Sequence, residues 1–575
     1  MTDHNKLGFT RRRLLAYACQ LSVGALLAAC AKTLPPQASQ VPQTTGTAGK
    51  TAAAKPTVTP KPTAPTKLEG EIVVAVSTGS YKGWQTLADA YTKQNPRVRV
   101  VIELKNNDST RDQFYREQIA AGAPRMSLAN INTLSDLYTG QAFINWDNYL
   151  STTNPYTGSI WSTAFIPGCL DFGRSSPHEQ FMLSTELFQV LCFFNCDLAK
   201  LLGLNPDKPP QTWGELKTWI TTAADAGYVG IDLAENGDQI DWFARIYADS
   251  WYTTPKYWQL CACQQGDPCF STVKPAFPSA DWRTNVYFDD PDKVDINPLR
   301  AWQALQDGYF LGDKDECLIP MMEELRTVIN KKTVPPDWRD ASRTVPLPFY
   351  SGQALVVCTG SWFIASCTQA VQRLQAGTFE SVAVGKATPT PNPQWTEIKS
   401  FSLGAFPLPR QTNPAIQVQY QRIIEQPVGY WGIPRKTQRQ NDLEVDFVMF
   451  ITSPQMVALK TAAELASENA EGNIIGIPAI KGVTYSEQWR SLFNWLHVQG
   501  NSQKPHPLNM VIGGLPSDVS ERRRLMADFY DETLDAEGLK GELRKLREAS
   551  RSTELAAYNL IPSNLEPSIK PSAIP

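Results

Sequence analysis

The sequence predicts an α/β fold with more than one structural unit, on three observations. Strand-length apolar runs alternate with helical apolar stripes along most of the chain, the pattern of strands and crossover helices. The chain has 575 residues, at least two units at roughly 100–200 residues per domain. Hydrophobic residues make up 42% and charged residues 19%, which is enough apolar material for sizeable cores. The charge balance, 54 basic against 57 acidic residues, lacks the basic surplus by which a nucleic-acid binder neutralises phosphates.

The chain opens on an address rather than a fold. Arg11-Arg12-Arg13 after Thr10 precedes a short apolar run from Ala16 to Ala29, the order of a bacterial export signal with a twin-arginine character. The run is shorter than the ~20 residues that span a bilayer. Leu27-Ala28-Ala29-Cys30 resembles a lipobox, in which the thiol corresponding to Cys30 is acylated after cleavage. Residues 1–29 are therefore expected to be an export signal, and the mature chain to sit lipid-anchored on the extracytoplasmic face of a bacterial cell membrane. Residues 30–67 are mostly Pro, Thr, Ala, Gln, Gly and Lys, with no apolar periodicity to offset the entropy of ordering. They predict a disordered, semi-extended tether.

The folded part begins near Leu68. Residues 71–76 form an apolar run of strand length, and Ser77-Thr78-Gly79-Ser80 reads as a loop. Trp84, Leu87, Ala88 and Tyr91 fall on one helical face, and Asn95-Pro96 ends that helix. A second strand follows over 97–104. In such a unit ligands sit beyond the carboxyl ends of the strands, where the 77–82 loop lies. No GxGxxG marks it for nucleotide phosphates. A helix over 111–121 and a strand over 126–131 come next. Thr212 and Glu215 make a capping box for a helix over 213–226, with Gly227 placed to terminate it. Asn441 with Glu444 reads as another helix start, ahead of the stripe Leu443, Phe447, Phe450 and Ile451.

Cysteine usage is mixed. Of 11 cysteines, Cys19 leaves with the signal and Cys30 carries lipid, so nine remain and cannot all pair with one another. One disulfide is expected in the 261–317 region, with buried thiols elsewhere. Cys261, Cys263 and Cys269 lack the spacing of a zinc site, so no metal or other cofactor is expected.

Several segments in order resemble the family 1 extracellular solute-binding proteins, the substrate receptors of ABC importers. Phe193-Phe194-Asn195-Cys196-Asp197-Leu198, then Leu201-Leu202-Gly203-Leu204 and Pro209-Pro210-Gln211-Thr212-Trp213-Gly214-Glu215-Leu216, are similar to the family's YNKDLF, GL and PPxTWDEL stretch. Phe349-Tyr350-Ser351-Gly352-Gln353-Ala354-Leu355 and Gly360-Ser361-Trp362 resemble its GKAAM and GSW segments. Gly429-Tyr430-Trp431-Gly432-Ile433-Pro434, with 446–450 and Ser453-Pro454-Gln455, resembles its late strand and helix. The chain departs from the pattern at Pro124-Arg125, at Phe194 and in the long stretch 251–345, rich in Trp, Cys and Pro.

The resemblance implies a two-lobed, maltose-binding-protein-like fold with discontinuous lobes joined by hinge strands. One lobe would combine 68–188 with 398–460, the other 189–397 with 461–575. It also implies a polar solute, a mono- or oligosaccharide, captured between the lobes of a monomer and delivered to an ABC permease. Sugars present apolar C–H faces with a hydroxyl rim, so their sites need flat aromatics beside hydrogen-bonding groups. At element ends and in loops stand Trp84, Trp251, Tyr252, Trp362, Tyr430 and Trp431. Thr78, Ser80, Lys82 and Asn132 are candidate partners for hydroxyls, and Asp241 is the acid nominated in the second lobe.

Enzyme chemistry has weaker marks. HExxH and GxSxG are absent, and only His178, His497 and His506 remain for a histidine-based triad beyond His4. The alternatives are a carbohydrate-active hydrolase using paired carboxylates, or a receptor of the same fold that serves a sensor without transport.

Overall fold

The computed structural model describes residues 68–77, 80–105, 108–122, 124–130, 142–166, 169–170, 174–176, 179–235, 237–265, 267, 281–286, 296–340, 343, 346–375, 401–466, 477–484, 506–513 and 516–557. The expectations placed on residues 1–67, Thr78, Asn132, His178 and His497 lie outside the described residues, as does the side chain of Tyr430.

The first strand-helix-strand unit forms as its pattern requires. Strand β1 (Gly70–Val76) and β2 (Val98–Leu104) pair in parallel, Gly70 against Val98 through Val76 against Leu104. Helix α1 (Tyr81–Gln94) connects them and buries Trp84, Leu87, Ala88 and Tyr91, the predicted stripe. Asn95 follows as its C-cap. Helix α2 (Asp108–Ala120) leads to β3 (Ala129–Asn130), shorter than the strand expected over 126–131. Leu128 makes an isolated parallel bridge to Val74, which continues the layer beside β1.

The organising strand is β4 (Leu183–Asn195), 13 residues long. Beyond it come α3 (Trp213–Asp225), β5 (Val229–Asp232), α4 (Asp238–Tyr252), β6 (Ala354–Gly360), β7 (Leu403–Phe406) and β8 (Glu425–Gly432). They are followed by α5 (Gln438–Ile451), α6 (Pro454–Leu465), β9 (Ile477–Pro478), α7 (Val519–Tyr530) and α8 (Ala536–Ala557). The sheet runs β3-β8-β4-β6-β5, with β7 and β9 also paired to β4. The first part of β4 pairs antiparallel with β8, and its later part pairs with β6 and β7. Among the described strands of this sheet only β5 and β6 pair in parallel, joined through α4 and the helices after it.

Two large cores lie on either side of a crossing. The smaller contains Ile72, Val74, Trp84, Tyr91, Trp146, Trp161, Leu183, Trp431, Phe447 and Phe450. The larger contains Phe188, Cys192, Phe194, Trp213, Phe243, Trp302, Cys358, Phe406, Val428 and residues of α7 and α8. Strand β4 passes from one to the other between Leu183 and Phe188, and β8 returns between Val428 and Trp431. Ile480, just after β9, lies in the smaller core, and Ala479 in a third cluster with Leu191, Phe193, Val357 and Phe363.

These cores divide the chain differently from the expected boundaries at two places. Phe406, Leu408, Ile424 and Val428 pack in the larger core, although 398–460 was assigned to the first lobe. Ile480 packs in the smaller, although 461–575 was assigned to the second. The reason is register: β7 pairs the far end of β4, Cys192 to Asn195, and so follows that end into the larger core.

Local signals fare well where the chemistry is short-range. Thr212 and Glu215 form both bonds of the capping box, and Gly227 sits at φ 86°, the left-handed conformation that ends a helix. The start placed at Asn441 is corrected to Thr437, whose hydroxyl accepts from the Gln440 amide. Asn441 instead lies within α5, buried, donating to the Pro434 carbonyl and accepting from the Lys436 amide. It ties the incoming chain to the helix rather than capping it. In the 251–345 stretch, Trp258 and Tyr257 of Pro255–Cys261, Trp302 of Pro298–Gln306 and Met321 of Leu318–Arg326 are all buried. Tyr257, Trp302 and Met321 belong to the larger core, so the described part of this stretch thickens that core. Cys263 is disulfide-bonded, whereas Cys261 and Cys317 are free thiols.

Candidate functional site

The crossing is built from β4, β8 and β9. Ser184 donates through Oγ to the Val428 carbonyl at 2.7 Å and to the Glu186 carbonyl at 2.9 Å. Thr185 Oγ1 donates to the Gly429 carbonyl at 3.2 Å. Gly429 holds φ at 63°, and the pairing there skips from Val428–Glu186 to Tyr430–Ser184. A left-handed residue at this point turns the strand as it changes lobes, and glycine adopts it without steric cost.

Immediately beyond the crossing on the larger side is a cluster of three rings. Phe188 of β4 stacks on Trp362, the residue pair lying 4.9 Å apart at 9°. Trp242 of α4 meets both edge-on, at 5.9 Å from Phe188 and 5.7 Å from Trp362. The parallel pair β5 and β6 ends here: α4 follows β5, and Trp362 stands two residues after Gly360, the last residue of β6. The cluster thus stands near the carboxyl ends of parallel strands, the side of an open α/β sheet on which ligands bind. Trp242 and Trp362 are half-buried. Gly360 permits the stack, since a Cβ there would meet both the Phe188 and Trp362 rings at 2.5 Å. Gln239 lies one turn before Trp242, and its Oε1 is buried without a partner among the described residues.

On the smaller side Trp84 meets Trp431 edge-on at 4.9 Å. Trp431 pairs with Leu183 in register, five residues before Phe188, or roughly 17 Å at ~3.3 Å per residue. Both rings are under a tenth exposed, so they form the wall of the smaller core rather than an open platform. Ser80 precedes α1 and makes no capping hydrogen bond through its side chain, and Lys82 is exposed in the first turn.

A charged cluster braces the crossing. Lys460 of α6 reaches Glu186 of β4 at 3.3 Å and Glu464, one turn on, at 2.9 Å. Burial pushes the Glu464 carboxyl up to about 7, with Lys460 opposing and Glu186 reinforcing the shift. Lys460 itself is held protonated by the two carboxylates in spite of its burial. Gly83 of α1 packs against the Glu464 side chain so closely that a Cβ would lie 2.6 Å from it.

Three nominated residues are corrected. Asp241 is inside the larger core, its two oxygens taken by Arg522 at 2.9 Å and Arg523 at 2.5 Å. Burial would raise its carboxyl, but the two guanidiniums outweigh that and hold it below the usual range. It anchors α7 to α4 instead of facing a ligand. Trp251 is 3% exposed and Tyr252 0%. Both pack in the larger core, with the Tyr252 hydroxyl bound to Asp315. Their place near a helix end resembles a loop position, but both side chains turn into the core, and Tyr257 of the following helix packs on Tyr252. Phe188, Trp242 and Gln239 were not nominated. Phe188 lies between Leu187 and Gln189 in a long buried strand, and only its stack on Trp362 sets it apart.

The histidine chemistry is also placed. His506 Nε2 contacts Thr253 Oγ1 at 2.9 Å and Asp249 Oδ1 at 3.4 Å, while Nδ1 accepts from the Leu508 amide. Hydroxyl and carboxylate share one ring nitrogen, whereas a nucleophile triad places them on opposite nitrogens. Asp249 is also bound by Arg422, and all four residues are almost wholly buried. The group fastens the 506–513 segment to α4. Among the described residues there is no metal-holding cluster of His, Cys, Asp and Glu, and no helix long and apolar enough to cross a membrane.

Comparison with solved structures decides the architecture. The apo form of RafE from Streptococcus pneumoniae matches with a TM-score of 0.52 at 14% identity, over 85% of this chain and 100% of that one. The chain has the two-lobed solute-binding-protein fold. A family 1 extracellular solute-binding protein from Bifidobacterium longum subsp. infantis matches at a TM-score of 0.48 and 13% identity, over 84% of this chain and 99% of that one. A cyclic alpha-maltosyl-1,6-maltose binding protein from Arthrobacter globiformis gives 0.48 and 14%, with the same shares. No protein-family model and no curated protein sequence matches the chain. In this solute-binding fold the two large cores are the lobes, and Ser184–Leu187 with Val428–Gly429 are where the chain crosses between them.

Proposed function

We propose that the chain is a family 1 solute-binding receptor of an ABC importer, lipid-anchored through Cys30, that takes a mono- or oligosaccharide between its lobes. It hands the sugar unaltered to a membrane permease. The ring cluster Phe188, Trp242 and Trp362 carries this reading. It offers two half-buried indoles inclined at 67° to one another, beside the crossing and at the ends of parallel strands. An indole face covers the apolar C–H face of a pyranose, and the second indole closes one edge. Around such platforms, selectivity comes from buried donors and acceptors that the wrong ligand leaves unpaired.

Gln239, with its unpartnered Oε1, supplies one such group from the larger lobe. Ser80, Lys82, Thr78 and Asn132 supply candidates from the smaller, and Tyr430 stands on the strand between. Closure about Gly429 and Thr185 would bring the two sets together, the hinge motion usual for receptors that enclose a ligand. The Pro- and Thr-rich tether over 30–67 lets the monomeric lobes reach the permease from the membrane surface.

A thermal-shift screen of the full chain with mono- and oligosaccharides, polyols, amino acids and short peptides tests this reading. A ligand that binds only the folded state raises the midpoint by an amount that grows with its concentration. A saccharide is expected to give that response. A response confined to amino acids or peptides, or none in the whole set, would overturn the carbohydrate assignment.

A further inference from the structure

Two free thiols face one another in the middle of the larger lobe's sheet. Strands β4 and β6 pair antiparallel with Cys192 directly opposite Cys358. Both side chains point to the same face, since Val190, Cys192, Phe194, Val356 and Cys358 belong to the larger core while Leu191, Phe193 and Val357 belong to the cluster on the other face. Both residues are 0% exposed and both are free. Burial pushes the Cys192 thiol well above the ordinary thiol range, and the neighbouring Cys358 reinforces the shift. No other pair of free cysteines among the described residues shares a register position. Directly opposed residues of an antiparallel pair have Cα atoms about 4.5 or 5.5 Å apart, within the ~4.4–6.8 Å that a disulfide spans.

We propose that Cys192 and Cys358 form a dithiol site that a small oxidised thiol, of the glutathione disulfide class, converts to a cross-strand disulfide. One cysteine, as thiolate, attacks the reagent's S–S bond, forming a mixed disulfide and releasing one reagent thiolate. The other cysteine then attacks the mixed disulfide at the protein sulfur and releases the second. Two protein S–H groups are oxidised, the reagent is reduced to two thiols, and the two protons pass to them. The protein S–S bond replaces the reagent's. A buried, raised thiol reacts only when the sheet opens, so the reaction belongs to folding or to local unfolding of β6. Its product ties the strand that carries Phe188 to the strand that leads into Trp362, and removes conformational freedom from the unfolded chain.

The test uses the reduced full chain, incubated with oxidised glutathione in sub-denaturing urea, then alkylated in denaturant and mapped by mass spectrometry. A cross-linked Cys192–Cys358 peptide is expected, with both residues protected from alkylation and a higher thermal midpoint after the urea is removed. The Cys192→Ala and Cys358→Ala variants should lose the midpoint rise. Full alkylation of both residues after oxidation, a persistent glutathione adduct, or linkage of either residue to a different cysteine would each overturn the proposal. The peptide map of the unmutated chain decides it even if a variant fails to fold.

Discussion

The Phe188 and Trp362 rings lie nearly parallel, 4.9 Å apart, over the one residue of β6, Gly360, that has no side chain to obstruct them. Trp242 closes the corner at 5.7 Å from Trp362. The crossing strand, the end of a parallel pair and the following helix each contribute one ring, so the shape depends on all three elements holding their register.

The first prediction concerns the rings. Trp362→Ala should weaken binding of the saccharide found in the screen by ~1–3 kcal/mol, about 5- to 150-fold in Kd. Trp242→Ala should weaken it to a similar degree. Isothermal titration calorimetry on proteins with native circular dichroism makes the measurement. Unchanged affinity in both would remove this corner from the site.

A second prediction concerns the crossing. Gly429 sits at φ 63°, and a Cβ there would approach Thr185 Oγ1 to 2.9 Å. Gly429→Ala should therefore cost about 1–3 kcal/mol, from left-handed strain plus displacement of the Thr185 hydroxyl. A urea titration reads the loss. Thr185→Ala, which removes that neighbour, should recover part of it in the double variant.

How far the sequence reaches is visible at particular residues. Thr212, Glu215 and Gly227 were legible because caps depend on neighbours three or four residues away. The stripe Trp84, Leu87, Ala88 and Tyr91 was legible because burial repeats with the helical period. Trp362 could be nominated from the Gly-Ser-Trp turn, and it stands at the crossing. Its partners Phe188 and Trp242 were hidden, since their role comes from contacts across 174 and 120 residues of chain that no local pattern encodes. Asp241 shows the converse. A carboxylate beside a tryptophan looks available until arginines almost three hundred residues away are found to hold it.

Asp241 gives the third prediction. Asp241→Asn removes the counter-charge of two largely buried guanidiniums and should cost about 3–5 kcal/mol. Chemical denaturation should show that loss, while the fraction that stays folded should bind saccharide with affinity close to that of the parent. A selective loss of affinity at parental stability would instead make Asp241 a ligand residue.

The fourth prediction is a pH dependence. The folded-state Glu464 carboxyl is raised to about 7, above its ordinary value near 4.5, so between those values the folded protein binds a proton that the unfolded chain does not. Stability from this group is present below about 4.5 and is lost as pH rises through about 7. Glu464→Gln should flatten the decline in unfolding free energy between pH 5 and 8, by on the order of 1–3 kcal/mol. Denaturation midpoints of both proteins across that range supply the comparison. An equal slope in the two would place the raised proton on another group.

The most direct measurement of the whole account is equilibrium dialysis of the purified full chain against the saccharide identified by the screen, with chromatography of the sugar recovered from the protein. Saturable binding of one sugar per chain, released at its original length even after prolonged incubation, is the predicted result. Shortened glycans accumulating with time, or sugar held without saturation, would contradict a receptor that encloses its ligand and gives it back intact.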